Sequence, residues 1–331
     1  MGGRVELRGL VRRYGASPSS GGGVGPVDLD VAPGELLALV GPSGSGKSTL
    51  LRLLAGLEAP DAGTIAIDGN DVTRRPPHER DVGVTFDDGA LYEHLTVRGN
   101  IEAALDRKRV RGAAALEAAK AALRLVRGEA LIDRKPASLS AGERRRAALA
   151  RAFAPRPALL LLDEPLTHLD RASRLDLRED LRHAQQEIGA TTIVVTHDHD
   201  DAIALADRVA YLSAGRVRHV GAASELIARP LHVDVAIGFG TAPMNVVAVE
   251  AGSIGFRADA AVVDGAAGTD AWSARGVIGS MHGGLTVITL DGGRRVRVPT
   301  RPASDRVGAA VRIGVAAADL HRFAHDGTRL D

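Results

Sequence analysis

The stretch GPSGSGKST, at residues 41–49, constrains this chain more than any other feature. An apolar run, ELLALV, precedes it, and a run with helical spacing, STLLRLLAGL, follows it. A strand, a glycine-rich turn and a helix in this order form the context in which G-x-x-x-x-G-K-[ST] binds phosphate, whereas a plain glycine turn is the alternative. Glycines let backbone N–H groups approach phosphate oxygens, and the lysine supplies positive charge. The predicted phosphate-binding residues are Gly41, Pro42, Ser43, Gly44, Ser45, Gly46, Lys47, Ser48 and Thr49.

The bulk composition indicates a globular protein of ordinary character. The chain has 331 residues, of which 45% are hydrophobic, and this length is sufficient for two domains. Lys and Arg number 42 against 41 Asp and Glu, so the charge balance gives no reason to expect nucleic acid. There is no cysteine, which excludes disulfides and fits a reducing compartment. We find neither a signal peptide nor an apolar run long enough to span a bilayer.

Beyond residue 40 the pattern predicts alternating strands and helices. The strands are PALLLLDEP, TTIVVTH and RVAYLS, and a helix is expected at 171–188. Strands that are apolar throughout and separated by helices favour a mostly parallel sheet covered on both faces. Residues 98–153 carry no strand signal and predict an inserted helical subdomain, whereas SPSSGGGVGP is a loop by composition. After residue 236 the helical pattern ends, and GLTVITLDGGRRVRVP predicts a hairpin around an Asp-Gly turn.

The run LLLLDEP, at residues 159–165, ends in two acids. A buried strand that carries Asp163 to its C-terminal end brings a carboxylate to the place where Mg²⁺ bound to phosphate is held. Glu164, the next residue, can then polarise a water molecule for attack on a γ-phosphate. An ordinary strand followed by an acidic turn is the alternative, and the upstream phosphate loop favours the functional interpretation.

A third apolar strand, in TIVVTHDHDDA, delivers His197 to the same predicted edge. We interpret His197 as a γ-phosphate contact, and we expect His199, Asp200 and Asp201 in the first turn of a helix, where acids suit the dipole. The alternative is a metal-ligand cluster built from the same histidines and aspartates. No other His, Asp or Glu group in the sequence has matching ligand spacing, which weighs against that alternative.

In this order the motifs resemble those of the ATP-binding subunits of ABC transporters. GPSGSGKST resembles their Walker A motif, LLLLDEP their Walker B motif, and LTHLD, which ends at Asp170, their D-loop. LSAGE, at residues 139–143, resembles the signature motif that separates this family from other phosphate-loop proteins. The segments around residues 57–101 and 238–247, together with the C-terminal tail, are similar to the importer subfamily that serves sugars and glycerol phosphate and carries an OB-like (TOBE) domain.

The resemblance implies a fold and a division of the chain. The fold is an α/β, RecA-like ATPase core with an inserted helical subdomain at about residues 90–155, followed by a small all-β OB-like domain. The expected domains are 1–236, the nucleotide-binding domain, and 237–331, the regulatory domain.

The resemblance also implies roles for the site residues. ATP and Mg²⁺ are the implied cofactors, with Glu164 as the catalytic base and His197 as the switch histidine. Tyr14 matches the aromatic residue that stacks on adenine. The signature of a second chain completes each ATP site in a head-to-tail dimer. The remaining implied nucleotide contacts are Asp87, Ser140, Gly142 and Asp170, and the implied Mg²⁺ ligands are Ser48, Asp163 and Asp87.

The partners follow from the same resemblance. They are a second ABC subunit, either a copy or a paralogue, the subunits of a transmembrane permease, and indirectly an extracytoplasmic solute-binding protein. The chain is expected to be peripheral, at the cytoplasmic face of the inner membrane. A sugar, polyol or glycerol phosphate is the favoured solute, and polyamine, iron and sulfate importers share much of the pattern.

Three positions depart from the family pattern. The strand VGVTF normally leads into a glutamine that ligates Mg²⁺ and reports to the permease, and here it leads into Asp87. In the signature, Ala141 replaces a glycine and Glu143 replaces a glutamine. The following Arg144, Arg145 and Arg146 are interpreted as a solvated helix face.

Two functional hypotheses therefore remain open. The first is a working ATPase that drives solute import, favoured because Lys47, Asp163, Glu164 and His197 are all present. The second is a hydrolysis-impaired regulatory half of an asymmetric pair. A non-transport ABC protein that acts on nucleic acid is a third class, and the balanced charge and the scarcity of aromatic residues in the tail weigh against it.

Overall fold

The computed structural model describes residues 2–14, 23–86, 91–240, 244–263, 272–282, 285–300 and 307–330. The chain forms two compact units, Met1–Ala223 and Ser224–Asp331. Within the described ranges, no helix is both long enough and apolar enough to cross a membrane.

The larger unit is an α/β structure with two sheets, as the sequence predicts. Its strands are β1 (Val5–Arg13), β2 (Gly23–Val31), β3 (Leu36–Val40), β4 (Ala62–Ile67), β5 (Asn70–Asp71), β6 (Val82–Thr85), β7 (Leu159–Asp163), β8 (Thr191–Val195), β9 (Arg208–Ser213) and β10 (Arg216–Gly221). Its helices are α1 (Lys47–Ala55), α2 (Val97–Asp106), α3 (Gly112–Arg124), α4 (Ala141–Phe153), α5 (Arg171–Ile188) and α6 (His199–Leu205).

The central sheet has six strands in the order β10-β9-β3-β8-β7-β6. Five of them are parallel, and β10 pairs antiparallel with β9 at one edge. The leucines of β7 alternate between its two faces and are all buried, so that Leu160 and Leu162 join one hydrophobic cluster while Leu159 and Leu161 join the other. A strand that is buried on both faces has no polar positions, which explains its uninterrupted apolar sequence.

A second sheet, with the order β2-β1-β4-β5, is antiparallel and packs its apolar face into the same cluster as helix α1. The sequence predicts β1 and β2 as strands but does not separate them from the central sheet. The loop prediction for SPSSGGGVGP is wrong at 23–26, which lie in β2, and its first six residues lie outside the described part of the chain.

The inserted segment is helical, as predicted. Helices α2, α3 and α4 bury alanines and leucines in a common hydrophobic cluster. Thr96 caps the start of α2, where its hydroxyl accepts a hydrogen bond from the Gly99 N–H group. This side-chain cap satisfies one of the backbone donors that a helix start leaves unpaired.

The smaller unit begins with two short helices and continues as antiparallel sheets. Residues Leu285 to Leu290 and Arg295 to Pro299 form the predicted hairpin. The elements of this unit are α7 (Ala223–Ala228), α8 (Val233–Gly238), β11 (Asn245–Val249), β12 (Gly252–Phe256), β13 (Ala261–Val263), β14 (Trp272–His282), β15 (Leu285–Leu290), β16 (Arg295–Pro299), β17 (Ala310–Val315) and β18 (His321–Phe323). The strands form two sheets, in the orders β11-β12-β18 and β13-β17-β14-β15-β16.

Candidate nucleotide site

The carboxyl ends of three adjacent parallel strands meet at one edge of the central sheet. Strand β8 lies between β3 and β7, so the phosphate loop after β3, Asp163 at the end of β7 and His197 after β8 converge. Ligands of open α/β sheets bind outside such strand ends. A cavity of about 520 Å³ opens here, lined by Tyr14, Gly23, Ser43, Gly44, Gly46, Lys47, Ser48, Thr49, Asp163, Glu164, Val195 and His197.

Two glycines of the phosphate loop are required by their surroundings. Gly46 immediately precedes α1 with φ of 104°, and a Cβ atom there would lie 2.4 Å from the Val24 side chain. Gly41 has φ of 146°, and a Cβ atom there would lie 1.9 Å from the Leu212 carbonyl oxygen. Because L-residues disfavour this φ range and no space exists for a side chain, larger residues cannot replace either glycine without moving the loop.

Lys47 is folded back onto the loop. Its Nζ donates hydrogen bonds to the carbonyl oxygens of Gly41, at 2.8 Å, and Pro42, at 2.9 Å. Burial lowers the pKa of the Lys47 ammonium, and the carboxylates of Glu164 and Asp163 oppose that effect. The two carboxylates thus favour the charged form of Lys47, which burial disfavours. A phosphate group in the cavity would lie close to this ammonium group.

Glu164 is held in a strained backbone conformation. Its φ is 48°, which is uncommon for a residue other than glycine, and its N–H donates to the Val195 carbonyl at 2.9 Å. Its carboxylate accepts from the Thr167 hydroxyl at 2.9 Å, and Oε1 lies 2.8 Å from His197 Nδ1. Only 17% of the Glu164 side chain is exposed, compared with 67% for His197. These contacts aim the carboxylate into the cavity.

The residues predicted to hold Mg²⁺ are chemically suited to it. The Ser48 hydroxyl and the Asp163 carboxylate line the same cavity, and both offer the hard oxygen atoms that Mg²⁺ prefers. In the described ranges no group of three or more His, Cys, Asp and Glu residues could hold a metal alone. Mg²⁺ at this site would therefore depend largely on phosphate oxygens and water, which is its usual mode of binding.

Tyr14, the predicted adenine contact, lines the cavity. Its hydroxyl hydrogen-bonds to Glu58, and the Arg12 guanidinium carbon lies 5.2 Å from the centre of its ring. These two neighbours fix the ring at the cavity wall, and the contact with Arg12 is a cation–π interaction.

The predicted signature residues form the start of α4. Ser140 and Glu143 make a reciprocal capping box: the Glu143 carboxylate accepts from the Ser140 N–H at 2.8 Å, and the Ser140 hydroxyl accepts from the Glu143 N–H at 3.3 Å. Arg134 also pairs with Glu143 at 2.6 Å. Hydrogen bonds from Ser140 and Arg134 hold the pKa of Glu143 below its ordinary value. The extra negative charge at Glu143 is thus neutralised locally.

Asp170 begins α5, where its carboxylate accepts from the N–H groups of Ala172 and Ser173, each at 3.0 Å. Together with Ser140 and Gly142, it is absent from the described residues that line the cavity. Gly41, Pro42 and Ser45 also lie outside the lining, although the first two accept the hydrogen bonds of Lys47. The structure thus gathers the predicted phosphate, Walker B and histidine positions at one cavity, whereas Ser140, Gly142 and Asp170 do not line it within the described ranges.

Asp87 lies outside the described residues, which resume at Leu91. The preceding residue, Phe86, accepts a hydrogen bond through its carbonyl oxygen from Arg145 Nη1 at 3.1 Å. The interpretation of Arg144 to Arg146 as a solvated face is wrong for Arg145 and Arg146. Arg145 is only 5% exposed, and Arg146 bonds to the Val126 carbonyl oxygen and to the buried Asp180 at 2.5 Å. Acceptors from distant segments turn these arginines inward, which their spacing alone does not reveal.

The stretch after His197 is helical from its first turn, as expected. His199 is the first residue of α6, and Asp200 and Asp201 lie in its first turn. Asp201 is 3% exposed and accepts hydrogen bonds from Arg174. The Asp201 carboxylate is therefore part of an ion pair between α5 and α6.

Sequence reasoning missed two residues of the cavity wall, Gly23 and Val195. Gly23 reaches the site because β2 pairs with β1, and a Cβ atom on Gly46 would lie 2.8 Å from the Gly23 carbonyl oxygen. The glycine run of residues 21–23 is the only signal for this approach, and by composition it resembles any loop.

The chain is similar in sequence and in structure to known proteins. Residues 24–167 match the family described as ABC transporter. The chain is 42% identical over 246 residues to the sn-glycerol-3-phosphate import ATP-binding protein UgpC 3 of Rhizobium etli, and the match covers 74% of this chain and 70% of the relative. It is 42% identical to the spermidine/putrescine import ATP-binding protein PotA of Frankia alni, covering 80% of this chain and 57% of the relative.

A sulfate/thiosulfate import ATP-binding protein, CysA of Caulobacter vibrioides, is 47% identical over 221 residues, which is 66% of this chain and 64% of the relative. Among solved structures, the ATP-binding cassette MJ0796, described as dimeric in a post-hydrolysis state bound to ADP and Pi, is 29% identical. That match has a TM-score of 0.59 and covers 66% of this chain and 98% of the other. The solved structure supports the fold of the larger unit, and the curated relatives extend the likeness to 80% of the chain.

Proposed function

This chain belongs to the ABC transporter family, and from that premise we propose that it binds and hydrolyses ATP to power solute import through a partner membrane permease. The observation that carries the proposal is the cavity at the carboxyl edge of the central sheet. It brings Lys47, Asp163, Glu164 and His197 together from three adjacent strand ends. The relatives named above are all ATP-binding proteins of importers, which supports the direction of transport.

The proposed chemistry assigns one role to each group. Lys47 leaves the loop carbonyls and neutralises the β- and γ-phosphates. Ser48 and Asp163 would hold Mg²⁺, which would supply positive charge to offset that of the phosphates. Glu164 takes a proton from the attacking water, and His197 contacts the γ-phosphate. The contact between Glu164 and His197, at 2.8 Å, supports these roles because it holds the base beside the group that contacts the phosphate.

A second chain completes the site in this proposal. Ser140, Gly142 and Asp170 do not line the cavity within the described part of this chain. The exposed start of α4 presents backbone donors and a helix dipole, which suit the γ-phosphate bound by a facing subunit. Two related solved structures are described as dimers, which is consistent with such pairing.

For the solute, we propose a sugar, polyol or glycerol phosphate, delivered by an extracytoplasmic binding protein. The glycerol phosphate relatives support this choice, while the spermidine/putrescine and sulfate/thiosulfate relatives keep polyamines and sulfate as alternatives. We also propose a peripheral location at the cytoplasmic face of the membrane. The proposed domains are 1–236 for the ATPase and 237–331 for regulation, although the compact units divide somewhat earlier, after Ala223.

The test is purification of the tagged, full-length chain from its native membrane, with identification of the copurified proteins and measurement of ATP hydrolysis by the complex. We expect permease subunits and a Mg²⁺-dependent ATPase activity that the Glu164→Gln variant lacks. Recovery of the chain without any membrane protein, or a nucleic-acid-bound complex, would contradict the proposal. Matched samples that carry Lys120→Ala, a change in an exposed ion pair of α3, serve as the control.

A further inference from the structure

The segments that follow Glu164 and His197 in the chain meet at a second point, where Arg174 pairs with Asp198 and Asp201. Arg174, in the first turns of α5, reaches across to the start of α6. Its Nη2 lies 2.5 Å from Asp198 Oδ2 and 2.6 Å from Asp201 Oδ2, and its Nε lies 3.0 Å from Asp201 Oδ2. One guanidinium thus connects two carboxylates of the histidine segment to the helix that follows Glu164.

This ion cluster is largely withdrawn from water. Asp201 is 3% exposed, and about a third of the side chains of Arg174 and Asp198 remains accessible. Burial raises the pKa of Asp201, and hydrogen bonds from Arg174 oppose that rise. The pKa of Arg174 is raised, first by its hydrogen bond to Asp201. Arg178 also faces Asp201, at 3.7 Å, so α5 supplies two cations to the buried carboxylate.

The cluster bears directly on the backbone of His197. Asp198 is the next residue, and it begins α6 by accepting the Asp201 N–H at 3.1 Å. The Asp198 N–H in turn donates to the Thr196 hydroxyl at 3.1 Å. The His197 ring is two-thirds exposed and touches Glu164, so few packing contacts restrain it. Its position is therefore set mainly by the residues on either side.

We propose that Arg174 is a positioning residue for ATP hydrolysis: by clamping Asp198 and Asp201, it fixes the Thr196–Asp198 segment so that His197 Nδ1 stays against Glu164. This proposal rests on the ATPase function proposed above. Arg174 is not among the described residues that line the cavity, and in the proposed chemistry it does not contact the nucleotide. Its effect is transmitted through the backbone of the residue next to His197.

The chain offers a matched control on the same two helices. Arg182 lies further along α5 and pairs with Asp207, which follows the opposite end of α6, with Nη2 at 2.6 Å from Oδ1. Both arginines link α5 to the α6 segment through a carboxylate. Only Arg174, of these two arginines, makes its ion pair beside His197. If both ion pairs merely hold the helices together, substitution of either arginine should lower kcat to a similar extent.

The first experiment compares kcat and the KM for ATP in the purified complex. Because Arg174→Gln alone leaves a buried carboxylate without its main partner, the principal variant is Arg174→Gln combined with Asp201→Asn. We expect kcat to fall about 10- to 100-fold with the KM for ATP nearly unchanged, as expected for misplacement of a catalytic group by about 1 Å. Arg174→Lys keeps the positive charge but loses the planar guanidinium, which can donate to two carboxylates at once. We expect its kcat to lie between those of the principal variant and the parent. If Arg182→Gln lowers kcat as much as the Arg174→Gln, Asp201→Asn variant does, the proposal is wrong.

A double-mutant cycle separates positioning from a general loss of stability. In a His197→Ala background, the Arg174→Gln, Asp201→Asn change is expected to lower kcat by less than about twofold, because the group that it positions is already absent. A fall as large as in the parent would show that the cluster acts independently of His197, and the proposal would then be wrong.

A spectroscopic readout keeps this test apart from the ATPase proposal. The ¹⁵N chemical shifts of the His197 ring report its contact with Glu164 in the nucleotide-free chain. We expect them to change in the Arg174→Gln, Asp201→Asn variant and to remain as in the parent in Arg182→Gln. Unchanged shifts in the first variant would overturn the positioning role even if ATP hydrolysis is confirmed. If the parent hydrolyses no ATP but the shifts change as expected, the ATPase proposal alone fails.

Discussion

His197 Nδ1 lies 2.8 Å from Glu164 Oε1, although 33 residues separate the two in the chain. The parallel pairing of β7 with β8 brings them together, since it aligns Asp163 with Val195 and carries Glu164, one residue further on, and His197, two residues further on, to the same edge. Because an ionised carboxylate can only accept a hydrogen bond, the imidazole donates through Nδ1 in this contact. The arrangement holds the carboxylate that we propose as the base, together with a hydrogen-bond donor, beside the phosphate loop.

Replacement of His197 by alanine is expected to lower ATP hydrolysis about 100-fold while leaving nucleotide affinity within a few-fold of the parent value. The reason is that, in the proposed mechanism, the ring contacts the γ-phosphate and not the rest of the nucleotide. The measurement is single-turnover hydrolysis together with ATP titration. His199→Ala, two residues further on at the start of α6 and outside the cavity lining, is the control. Equal rates for the His197 variant and the parent would remove this histidine from the mechanism.

Replacement of Lys47 by alanine is expected to abolish tight ATP binding. No other lysine or arginine lines the cavity within the described part of the chain, so no cation there can substitute for it. Binding of a fluorescent ATP analogue to the purified chain provides the measurement. Lys108→Ala is the control, because Lys108 pairs with Asp81 and neither residue lines the cavity. Retention of the parent affinity in the Lys47 variant would show that the phosphate groups bind elsewhere.

The capping box at the start of α4 predicts a pH-dependent contribution to stability. The pKa of Glu143 in the folded chain lies below its ordinary value of 4.5, so the folded state binds this proton less readily than the unfolded state. The stabilisation is therefore complete above pH 4.5 and is lost as the pH falls through the lower folded pKa. We expect Glu143→Gln to unfold at lower urea concentration than the parent at pH 7, and this difference should narrow below pH 4.5. A difference that does not vary with pH would contradict the role of the charge.

The prediction for Asp87 comes from the sequence, because this residue lies outside the described ranges. Glutamine restores the neutral amide that the family pattern has at this position, so Asp87→Gln is expected to give equal or higher coupling of ATPase activity to transport. The measurement is the ratio of solute taken up to ATP hydrolysed in membrane vesicles. A large loss of coupling would show instead that the carboxylate is an adapted ligand.

The positions of the main site residues could be predicted from the sequence because parallel strands fix them. An apolar strand that ends in a polar residue places that residue at the carboxyl edge, and the edges of β3, β7 and β8 coincide once the strands pair. Helix α5 was expected at 171–188 and occupies those residues, because its apolar spacing, the N-cap Asp170 and the following Gly189 all indicate the same bounds.

The charged contacts could not be predicted in the same way. Arg145 is predicted from the sequence to face solvent, yet it meets an acceptor from a distant segment. Arg174 likewise pairs with Asp201, an acid 27 residues away on another helix, and no motif in the sequence indicates that pairing. A guanidinium is buried only where an acceptor lies beside it, because burial of an unpaired charge is costly. Folding brings these acceptors close from distant parts of the sequence, so the local sequence does not indicate them. The same holds for Gly23, which reaches the cavity only through the pairing of β1 with β2.

The most direct test of the account is ATP hydrolysis by the complex that carries Glu164→Gln, measured beside the parent and beside Thr167→Val, which removes only the hydroxyl that bonds to the same carboxylate. Because glutamine keeps the shape of the side chain but cannot accept the proton, we predict that hydrolysis falls by a factor of about 100 or more while ATP still binds and holds two chains together. A Glu164→Gln complex that hydrolyses ATP at the parent rate would contradict the account.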